Sequence, residues 1–229
     1  GFTARHARLN PKYRLVRQMI ADGRLGDVYH IHHRMVYTRR RSGIEYNPGA
    51  YWFLSRRKAG GGPMMNWGVY DLSFHLGAVG DPRFLDAGGC FRTLRYKSDP
   101  ADIPEYDTET HGAVLMRFEG GLTYYWERGF AAYGEFPNQT VIYGTRGGLR
   151  FGYCTWDPPT VEFFTTGPDD KPQIEKIESP APALHDNDVA DRAMVDYLLG
   201  IGPRPIEPAI EVANLRIIST LYEQIPIVD

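Results

Sequence analysis

The segment from Gly60 to Tyr70, GGGPMMNWGVY, constrains the fold more than any other stretch of this chain. Three glycines allow the backbone to approach a ligand or a second element closely. Pro63 has its φ preset for the first helical position, where the missing N–H leaves nothing unsatisfied. From there Met64, Met65, Val69, Leu72, Leu76 and Val79 recur at helical spacing, which predicts a loop delivering a helix with an apolar stripe. Asn66 and Tyr70 stand four apart and share a face of that helix. On a cleft, the amide would orient a substrate and the phenol would donate or relay a proton. Tyr70 packed in the core with its hydroxyl satisfied fits the same spacing, and spacing alone does not choose.

Upstream, Asn10 and Pro11 read as cap and first turn of a helix over about 11–22, with Leu15, Val16, Met19 and Ile20 as its buried stripe and Gly23 as its stop. From Asp27 the run DVYHIHHRMVYT has the β-branched and aromatic content of a long strand. A long loop, 39–62, follows. FLDAGGCFRTLRY, 84–96, reads as a strand with a glycine bulge. Three hairpins then succeed one another, hinged on Glu119 to Gly121, on Arg146 to Gly148 and on Gly167 to Pro172, which implies an antiparallel meander. Two helices close the chain, near 186–199 and 208–224. Helices early and late with strands between predict an α+β fold: one large open, mainly antiparallel sheet with helices packed on one face. The uncovered, aromatic-bearing face is expected to meet a second copy in a homo-oligomer.

The chain has 229 residues and a formal net charge of -2, which gives no argument for nucleic acid or an acidic membrane surface as partner. No apolar run approaches the roughly 20 residues that span a bilayer. Cys90 and Cys154, far apart and in no CxxC pair, read as two reduced, buried thiols of a cytoplasmic protein. The chain opens at Gly1 without methionine or leader pattern, as a domain cut from something longer would.

Other residues carry weaker signals. His30 and His32 project from one face of the first strand, the geometry of sheet metal sites, but no third ligand is signalled and no metal is expected. His75, five after Tyr70, lies about 140° round the helix and outside a shared site. Arg39, Arg40, Arg41, Arg56, Arg57 and Lys58 face only Glu45 in the long loop, as a solvated basic loop or an anion site would. Arg34, Tyr37, Trp126 and Arg128 would suit the walls of a sugar-sized pocket, or serve as ordinary sheet residues. No GxGxxG follows a strand, and neither a GxSxG elbow nor a P-loop occurs. This chain alone is not expected to bind a dinucleotide.

The order GFTARHARLNPKYRLVRQMIADGRLGDV, then GGGPMMNWGVYDLSFHLGAVGDP, then hairpins and two closing helices resembles the C-terminal domain of the Gfo/Idh/MocA family of NAD(P)-dependent oxidoreductases, over nearly the whole of residues 1–229. The resemblance implies a single substrate-binding and oligomerisation domain, preceded in the full-length protein by a Rossmann domain that binds NAD or NADP and ends about where Gly1 begins. Family members commonly read GGG...D.G.H, with the Asp and His near the hydride-transfer centre. Here Asn66 stands at the Asp position, Tyr70 at the His position, and Ser73 where many have a further Asp. Tyrosine there is similar to the dihydrodiol and sugar dehydrogenase branches. The resemblance therefore implies a dehydrogenase of a sugar, polyol or related hydroxy compound, with Tyr70 catalytic, Asn66 orienting the substrate, and Gly60, Gly61 and Gly62 forming the loop beside the site. The lysine that usually completes the site would lie in the preceding domain. The alternative is a non-catalytic binding or assembly module that retains the fold.

Overall fold

The computed structural model describes residues 6–38, 49, 51–94, 106–134, 137–182, 184, 186–205 and 207–228. Arg39 to Arg41, Glu45, residues 95 and 96 and His185 lie outside the described residues, and the strand expected over 84–96 ends at Arg92, with 93 and 94 outside it.

Two short helices open the chain, α1 (His6–Leu9) and α2 (Pro11–Ala21), and the Asn10 side chain accepts the Lys12 N–H at 2.8 Å as the expected cap. Next come β1 (Val28–Val36), a single turn of helix α3 (Arg56–Ala59), and α4 (Pro63–Ala78), the expected helix of the glycine-led segment. Strands β2 (Phe84–Arg92), β3 (His111–Phe118), β4 (Thr123–Gly129), β5 (Gln139–Gly144), β6 (Gly148–Phe151), β7 (Thr160–Thr166) and β8 (Pro172–Glu178) follow. Helices α5 (Asp186–Leu198) and α6 (Pro208–Gln224) precede a two-residue strand, β9 (Ile227–Val228).

The nine strands form one sheet in the order β8-β7-β6-β5-β1-β4-β3-β2-β9. The three expected hairpins are present, but they are not one continuous meander. β1 inserts between β4 and β5, parallel to β4 and antiparallel to β5. β9 adds a parallel edge to β2. The glycine bulge expected in β2 is absent: register shifts between Phe84 and Asp86, while Gly88 and Gly89 pair regularly. Gly89 is there for space, since a Cβ would stand 2.3 Å from the Ala113 carbonyl oxygen.

The helices cover one sheet face, with α4 against β3 and β4 and α6 and α2 against α4. Alternate residues of β1 and β4 (Ile31, His33, Met35 and Tyr124, Trp126, Arg128) point into that layer. His30, His32, Arg34, Tyr125 and Glu127 point to the open face. Rather than burying one stripe, α4 is covered on nearly every side over its C-terminal half, because α2, α6 and the sheet close around it. Cys154 is buried as expected, but Cys90 is exposed. It pairs with Ala113, whose strand alternation turns both to the open face.

Candidate functional site

The three glycines before α4 have separate causes. Gly60 ends α3 at φ +84, a left-handed conformation that side chains disfavour. At Gly61 a Cβ would meet the Tyr222 hydroxyl at 2.1 Å, and at Gly62 it would meet the Glu109 carbonyl oxygen at 1.9 Å. The close approach sets up a clamp on the helix start. The buried Glu109 carboxylate accepts the Gly62 N–H (2.8 Å), the Met64 N–H (3.1 Å) and the Tyr222 hydroxyl (2.6 Å). The Tyr222 oxygen in turn accepts the Met65 N–H at 3.2 Å. Burial pushes the Glu109 carboxyl above its ordinary range, and the three donors offset only part of that rise.

Further along, Gly68 allows α4 to seat on the sheet, since a Cβ would lie 2.7 Å from the Trp126 ring and 2.9 Å from Ile218. That seat turns the opposite side of the helix outward. Met65, Asn66, Trp67, Val69 and Tyr70 stay partly exposed, and every other residue of α4 is buried. Asn66 lines a narrow cleft of about 20 Å³ with Phe53, Thr108, Thr110 and Phe130. On the same partly open side of α4 stands an aromatic group. Trp67 lies 5.5 Å from Tyr70, centroid to centroid, and 5.8 Å from the exposed Trp156, whose ring is nearly perpendicular at 87°.

Beneath that group lies a buried ion pair. The Arg128 guanidinium is 4.7 Å from the Trp67 ring centroid and donates to both Asp71 oxygens, from Nε at 2.6 Å and Nη2 at 2.5 Å. Asp71 also accepts the Trp126 indole N–H at 2.8 Å and the Tyr153 hydroxyl at 2.5 Å. Burial favours the neutral carboxyl, but Arg128 and His33 outweigh it and hold Asp71 well below the usual carboxylate range. Next to the pair, burial lowers His33 and His75. Thr140 Oγ1 bridges them, at 2.9 Å from His33 Nδ1 and 2.8 Å from His75 Nε2. His75 thus belongs to the buried network and not to the cleft.

The structure therefore brings Asn66 and Tyr70 to one partly open turn, with Gly60 to Gly62 at its base. Trp126 and Arg128, expected on the pocket wall, are fully buried behind it. Arg34 is on the other face of the sheet, bonded to Glu127 at 3.0 Å. Tyr37 follows β1 and packs partly buried against the core. His30 and His32 share the open face, and among the described residues no group of three His, Cys, Asp or Glu gathers to hold a metal. Sequence reasoning missed Asp71, Glu109, Tyr222, Trp67 and Trp156. For Asp71 a signal existed: β4 alternation puts Arg128 on the same face as Tyr124 and Trp126, and a buried guanidinium requires a carboxylate. Glu109 and Tyr222 are 113 positions apart and carry no local signal.

These features place the chain among α+β domains built on one open sheet, in which a largely buried helix carries Asn66 to a cleft and Tyr70 to the open surface. Residues 13–150 match the family model described as the GFO/IDH/MocA C-terminal domain, and the chain belongs to that family. No curated protein sequence matches it. Among solved structures, levoglucosan dehydrogenase in complex with NADH and levoglucosan aligns with a TM-score of 0.75 at 17% identity, over 96% of this chain and 62% of that one. An NAD-binding oxidoreductase from Klebsiella pneumoniae gives 0.74 at 18%, over 96% and 62%. Aldose-aldose oxidoreductase from Caulobacter crescentus, complexed with glycerol, gives 0.71 at 17%, over 95% and 59%. At these identities the likeness is one of fold. The chain spans about three-fifths of the length of these proteins.

The family implies a nicotinamide dinucleotide. A glycine-rich loop running into a helix is where a pyrophosphate would be sought. At α4 those amides are already taken, Gly62 and Met64 by Glu109 and Met65 by Tyr222. A carboxylate of the chain's own occupies the place of an external anion, so this end of α4 does not fit a pyrophosphate.

Proposed function

We propose that this chain is the substrate-binding domain of an NAD(P)-dependent oxidoreductase acting on a sugar, polyol or related hydroxy compound. The nicotinamide, held by residues outside this chain, supplies or takes the hydride. Tyr70 gives or takes the proton of the reacting hydroxyl, and Asn66, which does not exchange a proton at ordinary pH, holds the substrate by its amide. The observation that carries this reading is the selective exposure of α4: in a helix otherwise buried, the partly open residues include the amide, the phenol and the indole that a polyhydroxylated ligand would use. The levoglucosan and glycerol complexes of structures with the same fold support that ligand class. The test is the full-length protein with NAD or NADP and a panel of aldoses and polyols, followed by nicotinamide absorbance. Turnover of at least one substrate is expected, and none across the panel in a folded protein would favour the assembly module.

The open sheet face serves homo-oligomer contacts in this reading. It leaves Leu115 47% and Tyr143 39% exposed beside His30, His32 and Tyr125, an apolar and aromatic surface on strands already fixed by the sheet. Sedimentation of the full-length protein should give a dimer or larger species, and a monomer at every concentration would remove this assignment.

A further inference from the structure

The loop between β6 and β7 is mounted more firmly than a surface connection needs. Its Tyr153 hydroxyl is anchored in the core on Asp71, with Arg128 donating to it at 3.1 Å. Lys12, 3% exposed, reaches from α2 and donates its amine to the carbonyls of Gly152 (2.5 Å) and Pro158 (2.8 Å), bracing both ends of the loop. The tip is a closed turn: the Asp157 N–H donates to the Cys154 carbonyl at 3.1 Å, and the Asp157 carboxylate accepts the Cys154 N–H at 2.9 Å. Gly152 leaves room for that carboxylate, since a Cβ there would stand 2.5 Å from it.

What this mount presents is Trp156, 57% exposed, with its edge contact on Trp67 fixing its place beside Tyr70's neighbour. A half-bare indole on a rigid loop leaves a large apolar area in water, and such rings contribute most when a ligand covers them at little conformational cost. We propose that Trp156 is a specificity residue that stacks on the C–H face of a ring-closed sugar and so selects cyclic carbohydrates over open-chain polyols. The inference rests on the functional reading above and names its substrate class. Trp67 and Trp156 meet nearly at right angles and Tyr70 stands 5.5 Å beyond Trp67, so a flat ring stacked on Trp156 would lie in the corner between the indoles, one ring contact from Tyr70. An open-chain polyol has no such face, and it loses more conformational freedom when held. Lys12 acts through the loop as a positioning residue.

The experiment compares full-length wild type, Trp156→Ala and Trp156→Phe on aldohexoses and on the corresponding hexitols. In Trp156→Ala the KM for aldohexoses should rise on the order of tenfold with kcat within about twofold, while the KM for hexitols should move less than about twofold. Trp156→Phe should recover most of the aldohexose KM. Equal changes for both classes, or no change in either, would overturn the role of Trp156 while the functional reading stands. Wild type inactive on every member of both classes would remove the functional reading and this inference together.

Discussion

Replacing Arg128 with methionine should lower the stability of the fold by about 3–5 kcal/mol at neutral pH, the usual scale for removing one partner of a buried ion pair. The guanidinium is fully buried, and four of its five N–H groups donate to Asp71, Tyr153 and the Met35 sulfur. Without it Asp71 keeps the Trp126 and Tyr153 donors and the nearby His33, but it becomes a buried charge lacking its main counter-ion. The pH dependence follows from the sign of the shift. In the wild type the Asp71 pKa is held below its unfolded value, so its stabilisation is fully present above about pH 4 and lost as pH falls through the folded pKa. In the variant the two remaining donors and His33 oppose burial without the main counter-ion, so the folded pKa should rise from its wild-type position and above the unfolded one. Acidification then lets the buried carboxyl take a proton, so the gap from wild type should narrow as pH falls. Denaturant unfolding at pH 7 and pH 5 measures both quantities. A loss under about 1 kcal/mol, or a gap constant with pH, would mean that water reaches this pair.

The local parts of this fold were legible where one residue settles a boundary. Asn10 caps α2 by its own side chain, and the glycines at 120–121 and 147–148 turn the chain between strands that already alternate. The insertion of β1 was not legible, because a parallel pairing of residues 30–36 with 123–129 closes through no turn. That pairing also decides which face each side chain takes. Arg34 pairs with Glu127 and faces outward, while Met35 pairs with Arg128 and faces inward. The two arginines expected in one pocket thus lie on opposite faces of the sheet. Within α4 the apolar spacing located the helix, but its all-round burial depends on α2 and α6, brought in from both ends of the chain. The exposed Asn66–Tyr70 turn survives because the contact of Gly68 with Trp126 fixes the rotation of the helix.

Tyr70→Phe in the full-length protein should lower kcat by about 10²–10⁴-fold, the range that one positioned acid–base group contributes. Phenylalanine keeps the ring that lies 5.5 Å from Trp67 and removes only the hydroxyl. Substrate contact with the aromatic group is retained, so KM should change by no more than a few-fold, the pattern of an interaction made in the transition state. Tyr70 is only partly buried, and its truncation should move stability by about 1 kcal/mol or less. A tyrosine serving packing alone would give the reverse, a larger loss of stability with kcat unchanged. The discrimination is sharp because Asn66, its companion on the open turn, has no proton to exchange. If Tyr70→Phe turned over at the wild-type rate, no proton-transfer group of the α4 turn would remain. The turn would then serve recognition only, and the proton would have to be handled by a group outside this chain.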